Sequence, residues 1–149
     1  MKASDIKELE SGYTESKIQH ICVQWFRQTF PTVGNLLFSV PNGNLRQTRT
    51  AVICKYEGQV NGVADLILLY PSQGKCSLCI EMKVPKRKGS SAGKQSDAQK
   101  QWQQLVTKYG SEYVVCHGLI EFITAVCRYL SLDTDSHIIN ALNKYPLYR

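Results

Sequence analysis

The amino-acid sequence predicts an α/β fold in which a central mixed β-sheet is flanked by helices. Three observations predict it. Ile18, Ile21, Cys22, Trp25 and Phe26 recur at helical spacing and form one apolar face. Two strand patterns, over residues 65–70 and 76–84, face each other across Pro71-Ser72-Gln73-Gly74, a turn signal. Helical and strand patterns then alternate to the end of the chain, and a sheet with helices against it is the simplest way to bury all these faces.

Taken in order, Thr14 can cap a first helix that runs to about residue 29 and is ended by Pro31. Residues 36–40 read as a short strand stopped by Pro41-Asn42-Gly43, and residues 45–57 as a short helix. Gly58 and Asn61-Gly62 break the chain before the next strand. Residues 66–70 are continuously apolar, the pattern of a strand covered on both faces. The following strand alternates: Cys76, Leu78, Ile80, Met82 and Val84 on one face, Ser77, Cys79, Glu81 and Lys83 on the other. Residues 85–94, rich in Gly, Ser and Lys, read as a mobile loop. Ser96 opens a helix whose Ala98, Trp102, Leu105, Val106 and Tyr109 are expected to face the core, with Gly110 closing it. A strand over 113–116, a helix over 119–130 and a weaker helix over 136–145 follow. At 149 residues the chain fits one domain, with a core over about 14–131 and a C-terminal helical tail over 132–149.

Composition narrows the function classes. Apolar residues make up 43% and charged residues 20%, an ordinary globular balance. No apolar run approaches the roughly 18 residues of a membrane span. The first twelve residues carry Asp5, Glu8 and Glu10 and no apolar segment of a secretory signal, so a cytoplasmic location and no membrane partner are expected. Six cysteines then read as reduced thiols, most of them in apolar surroundings. Cys76 and Cys79 have CxxC spacing, but on an alternating strand the two thiols point apart and no second pair completes a zinc site. His20, His117 and His137 stand isolated and read as surface or capping residues. The formal charge is +6, and its distribution is uneven. Lys83, Lys86, Arg87, Lys88, Lys94 and Lys100 face a single acid, Asp97, within residues 83–100, a block that suits a polyphosphate partner or, equally, a solvated basic loop.

The candidate chemistry lies in the hairpin. If Tyr70 pairs with Cys76, then residue 68 faces 78, 66 faces 80, and Asp65 faces Glu81. Opposed residues share a side of the sheet with Cβ atoms about 4.5–5.5 Å apart. Lys83, two residues on, shares that face. Two carboxylates converging at a strand end can chelate a hard divalent cation such as Mg²⁺. An adjacent ammonium can orient or deprotonate a water and offset phosphate charge. A slip of one residue in register would send Asp65 to the other face, and a surface ion pair would then explain the same residues.

Several motifs, in this order, resemble the virus-type replication-repair nuclease (VRR-NUC) pattern: Asn42-Gly43, then residues 62–68 (Gly-Val-Ala-Asp-Leu-Ile-Leu), then Ile80-Glu81-Met82-Lys83, then residues 96–102 (Ser-Asp-Ala-Gln-Lys-Gln-Trp). The resemblance runs from about residue 15 to 129. It implies the PD-(D/E)xK, restriction-endonuclease-like core, with Ala64 standing where the superfamily name has proline. It implies Asp65 and Glu81 as ligands of Mg²⁺ (or Mn²⁺), Lys83 as the catalytic lysine, Glu15 as a supporting acid and Gln99 as a further site residue. It also implies DNA as substrate, branched or four-way forms included, and a homodimer. Glu15 has a second reading, since a carboxylate in a helix's first turn complements the helix dipole. Gln99 has one too, since Ser96 and Gln99 fit a capping box. Lys86, Arg87, Lys88 and Lys94 are the expected DNA-backbone contacts. The competing function is a nucleic-acid-binding module without activity, and a scaffold using the amphipathic C-terminal helices is a third.

Overall fold

Among the described residues, four strands form one sheet in the order β1 (Leu37–Ser39), β2 (Leu66–Leu68), β3 (Leu78–Met82), β4 (Glu112–Cys116). The structure, a computed structural model, describes residues 1–41 and 48–145. The first three strands run antiparallel and β4 lies parallel to β3, so the sheet is mixed. Around it lie α1 (Ala3–Glu10), α2 (Glu15–Thr29), α3 (Thr48–Tyr56), α4 (Asp97–Lys108), α5 (Leu119–Leu130) and α6 (Thr134–Lys144). The Asn42-Gly43 signal lies outside the described residues.

Local chemistry sets most boundaries. Thr14 Oγ1 accepts from the Lys17 amide at 3.2 Å, which starts α2 where a hydroxyl can satisfy a free N–H. Ser96 does the same for α4, with Gln99 completing the reciprocal pair. The hairpin register is Leu66 opposite Ile80 and Leu68 opposite Leu78, as the turn length predicts. The strands are shorter than the patterns suggested because side chains take over at their ends. Asp65 Oδ2, for example, accepts the Met82 amide at 2.7 Å.

The main core lies between one face of the sheet and helices α2 and α5. Ile18, Ile21, Cys22, Trp25 and Phe26 pack there with Leu66, Leu68, Leu78, Ile80 and Met82, and with Leu119, Phe122, Ile123 and Val126 of α5. Trp25 meets Phe122 edge-on at 6.0 Å between ring centroids, a favoured aromatic geometry. Helix α6 adds Ala141 to this core. Helix α1 was not expected from the sequence. It is eight residues long with one fully buried apolar side chain, Ile6, too little for a periodic signal.

The second face is also covered. Helix α4 lies over Ala64, Cys79 and Tyr113, with Trp102 and Val106 packed against them. The alternation in β3 is therefore real but separates two interiors rather than an interior from water; Ser77, Cys79 and Glu81 are all buried. This second core is narrow, and it corrects one expectation. Leu105 is 55% exposed and Tyr109 72% exposed, outside the cluster that Trp102 and Val106 join. All six cysteines are free, and Cys76 is exposed, with its Sγ 3.2 Å from Ser111 Oγ. Among the described residues no helix is long and apolar enough to cross a membrane.

Candidate active site

Asp65 directly precedes β2; its Oδ2 accepts the Met82 amide at 2.7 Å, and its charge acts on Glu81, which lies on the side of the sheet covered by α4. Glu81 is wholly buried. A carboxylate in that position needs partners for both oxygens, and it has them. Oε1 takes the Lys83 ammonium at 2.9 Å and the Gln99 side-chain amide at 2.5 Å; Oε2 takes the Tyr113 hydroxyl at 3.3 Å. Burial nevertheless pushes its pKa up to about 7, the Lys83 hydrogen bond opposes the rise, and the charge of Asp65 adds to it.

The other acids and the lysine belong to the same electrostatic group. Glu15 is half-buried in the first turn of α2, and its pKa is raised by burial. Lys83 opposes that rise and Asp65 reinforces it, so Glu15 lies within interaction range of both. Burial works against charging Lys83, but Glu81, Glu15 and Asp65 outweigh it and hold its pKa above the ordinary value. Lys83 is therefore an ammonium at neutral pH. The structure thus brings together all five residues singled out from sequence: Asp65, Glu81, Lys83, Glu15 and Gln99.

Gln99 caps α4 and also reaches Glu81. Its Oε1 accepts the Ser96 amide at 2.8 Å while its Nε2 donates to Glu81. The helix cap is thereby the device that aims the amide at the carboxylate. Three residues of the network were not foreseen. Tyr113 is 9% exposed, and the parallel register that sets Cys79 beside it puts it on the Glu81 face. Gln95 Nε2 donates to Tyr113 Oη at 3.2 Å and to Gln103 Oε1 at 2.9 Å. A tyrosine inside the apolar run Val114-Val115-Cys116 was a usable signal, because a buried phenol needs a polar partner.

Whether these residues suit a divalent cation is a question of donor chemistry. Asp65, Glu81 and Glu15 offer hard oxygen ligands, and their mutual repulsion is the kind that a cation relieves. Among the described residues no group of three His, Cys, Asp or Glu closes into a ready-made cage. An all-oxygen donor set of this kind suits a hard cation such as Mg²⁺, which is held by one or two carboxylates with water and phosphate oxygens.

The basic segment emerges at the same place. Lys86, Lys88 and Lys94 are exposed beside the site. Arg87 is exposed too, but its Nη2 donates to the Tyr13 carbonyl at 2.5 Å, which tethers the loop to the α1–α2 turn. Residues 85–94 were expected to be a mobile loop; the Arg87 contact and the Gly93–Val84 hydrogen bond join this segment to its surroundings.

The mixed sheet between helices, with an acid–acid–lysine group at one end, defines a nuclease-type domain. The VRR-NUC domain family model matches residues 4–119, and the chain belongs to that family. The chain is also similar to a solved structure described as a VRR_NUC domain protein, with a TM-score of 0.68 at 23% identity over 81% of this chain and 91% of that one. That likeness concerns the fold. No curated protein matches the chain.

Proposed function

We propose that this nuclease-family chain is a Mg²⁺- or Mn²⁺-dependent endonuclease that hydrolyses DNA phosphodiester bonds. One observation carries the reading: a wholly buried carboxylate, Glu81, lies beside Asp65 and an ammonium, Lys83, at the edge of a basic surface. A module that only binds DNA gains nothing from carboxylates turned toward phosphate, because they repel it.

Asp65 and Glu81 would hold the cation, with Glu15 as a third donor. A divalent ion held there would polarise the scissile phosphate and make a water nucleophilic at neutral pH. Lys83 orients the attacking water and offsets charge that builds on the phosphate. Gln99 and Tyr113 hold Glu81 in one orientation, as partners of a metal-binding carboxylate do. Lys86, Lys88 and Lys94, and Arg87 in part, contact the DNA backbone. We take the substrate to be branched DNA, four-way junctions included, and the working form to be a homodimer. Six unpaired thiols fit a cytoplasmic setting.

Incubating the protein with linear, flapped and four-way DNA, with Mg²⁺, Mn²⁺ or a chelator, tests class and substrate together. Cleavage that needs the metal and is abolished in Asp65→Ala and Glu81→Ala, with DNA binding retained, is the expected result. Binding without cleavage under every divalent ion would point instead to the non-catalytic module.

A further inference from the structure

His117 follows β4 directly, and its environment is more constructed than that of a surface histidine. Its backbone N–H donates to Glu121 Oε2 at 2.8 Å, and its ring Nδ1 lies 3.2 Å from the same oxygen. Glu121 sits in the first turn of α5, so the backbone of His117 is held by a helix that is itself locked into the core. The far side of the ring reaches across to the basic loop. Nε2 lies 3.0 Å from the Gly93 carbonyl, which only accepts, so Nε2 carries the hydrogen.

Gly93 is the point at which that loop comes home. Its amide donates to the Val84 carbonyl at 3.1 Å, closing the neck of the excursion. A Cβ built on Gly93 would stand 3.3 Å from Lys83 Cβ and equally close to Val84. The returning chain therefore lies on the stem of Lys83, and a side chain at 93 would press on it. The loop between is Gly- and Ser-rich, and its cationic side chains point to solvent apart from the Arg87 tether. Its position depends on a few anchors, of which the His117 contact is the one that ties the return to α5.

We propose that His117 is a latch: by holding the Gly93 carbonyl it keeps the basic loop closed against Lys83, and it is a positioning residue for DNA engagement at this site. The latch rests on the nuclease reading only for its purpose, not for its geometry. A polar cap with no further role would leave the loop unchanged when removed.

Limited trypsin digestion of the metal-free, DNA-free protein reads the latch directly, because Lys86, Arg87 and Lys88 are cleavage points. In His117→Ala the cut within 86–88 should accelerate by about tenfold, since proteolysis follows the population of the open loop. The thermal midpoint should stay close to that of the parent, and other tryptic sites should be cut at the parent rate. His117→Gln, which keeps one donor, should fall between the two, and it carries the test alone if the alanine variant does not fold. Unchanged loop cleavage in both variants overturns the latch. DNA binding forms a separate arm. His117→Ala should bind DNA several-fold more weakly with the same salt slope, because the charges remain and only their preorganisation is lost. Lys86→Ala/Arg87→Ala/Lys88→Ala should flatten the slope of log K against log salt by about 2, since Arg87 is partly engaged elsewhere. A slope unchanged in that triple variant would remove the loop from the DNA interface while leaving the latch standing.

Discussion

At the scale of single residues, the site is a balance between burial and pairing. Glu81 alone would be expensive to ionise in a closed interior, and its neighbours distribute that cost. Lys83 donates to it from one side and Gln99 from another. Removing the lysine should therefore act on two levels. Lys83→Ala should lower the single-turnover cleavage rate by about 10²-fold, the loss expected for one preorganised charge at a reacting phosphate. Metal affinity measured by calorimetry should change little, because an ammonium is not a metal ligand. If Lys83→Ala instead abolished Mn²⁺ binding and left the rate alone, its place in the proposal would be wrong. That Asp65, Glu81 and Lys83 lie close together was legible in the sequence from strand alternation and turn length. Tyr113 was not, because its partnership with Glu81 depends on β4 lying beside β3 in parallel, a pairing between residues far apart in the chain.

At the scale of elements, the site is assembled where two chain segments are forced close together. Gly62 has φ +81°, and a Cβ there would collide with the backbone carbonyl of Ala98 and crowd the Gln99 amide. The turn that leads into Asp65 is thus pressed against the first turn of α4, which carries Gln99. Gly62→Ala meets both a backbone conformation that side chains avoid and a helix in the way. It should destabilise the fold by about 1–3 kcal/mol. It should also weaken Mn²⁺ binding more than a surface change of equal cost in stability, because Asp65 and α4 are pushed apart. Comparing its denaturation midpoint and metal isotherm with those of Asp133→Ala, a loss of about 1 kcal/mol at the cap of α6 and away from the site, makes the distinction. Equal metal affinity in the two variants would show that the Gly62 contact does not set the site. The helices α2, α4, α5 and α6 could be read from caps and periodicity, whereas α1 could not: one buried isoleucine in eight residues leaves no pattern to find.

For the whole molecule, stability should carry the signature of buried acids. Glu10 is completely buried where α1 meets α5, and its carboxylate accepts the Leu119 amide at 3.0 Å. Burial pushes its pKa up to about 7, against the Leu119 hydrogen bond and with help from Glu121. Between pH 4.5 and 7 the native protein then holds a proton there that the unfolded chain has lost. Stability must fall as pH rises through that window and level off above it. The full effect of such a shift is of the order of 3 kcal/mol. Glu81 slopes the same way, so the comparison with Glu10→Gln isolates Glu10. The variant, a neutral isostere that can still accept from Leu119, should show a flatter profile between pH 5 and 7.5. Parallel unfolding profiles for the two proteins would place the pH dependence elsewhere.

The sequence by itself determined the elements whose causes are local. Thr14 and Ser96 start helices because a side-chain oxygen is available to a free amide, and the hairpin register follows from turn length and the two-residue period of a strand. From that register came the expectation that Asp65 and Glu81 are neighbours with Lys83 on their face, and the three charges do act on one another. What only the tertiary structure decided is how that face is used. The polar side of β3 is an interior because α4 folds over it, while Leu105 and Tyr109 of the same helix segment remain outside that cluster. The basic loop is latched rather than free because β4 delivers His117 to its neck. These contacts join residues tens of positions apart, and no periodicity along the chain encodes a distance across it.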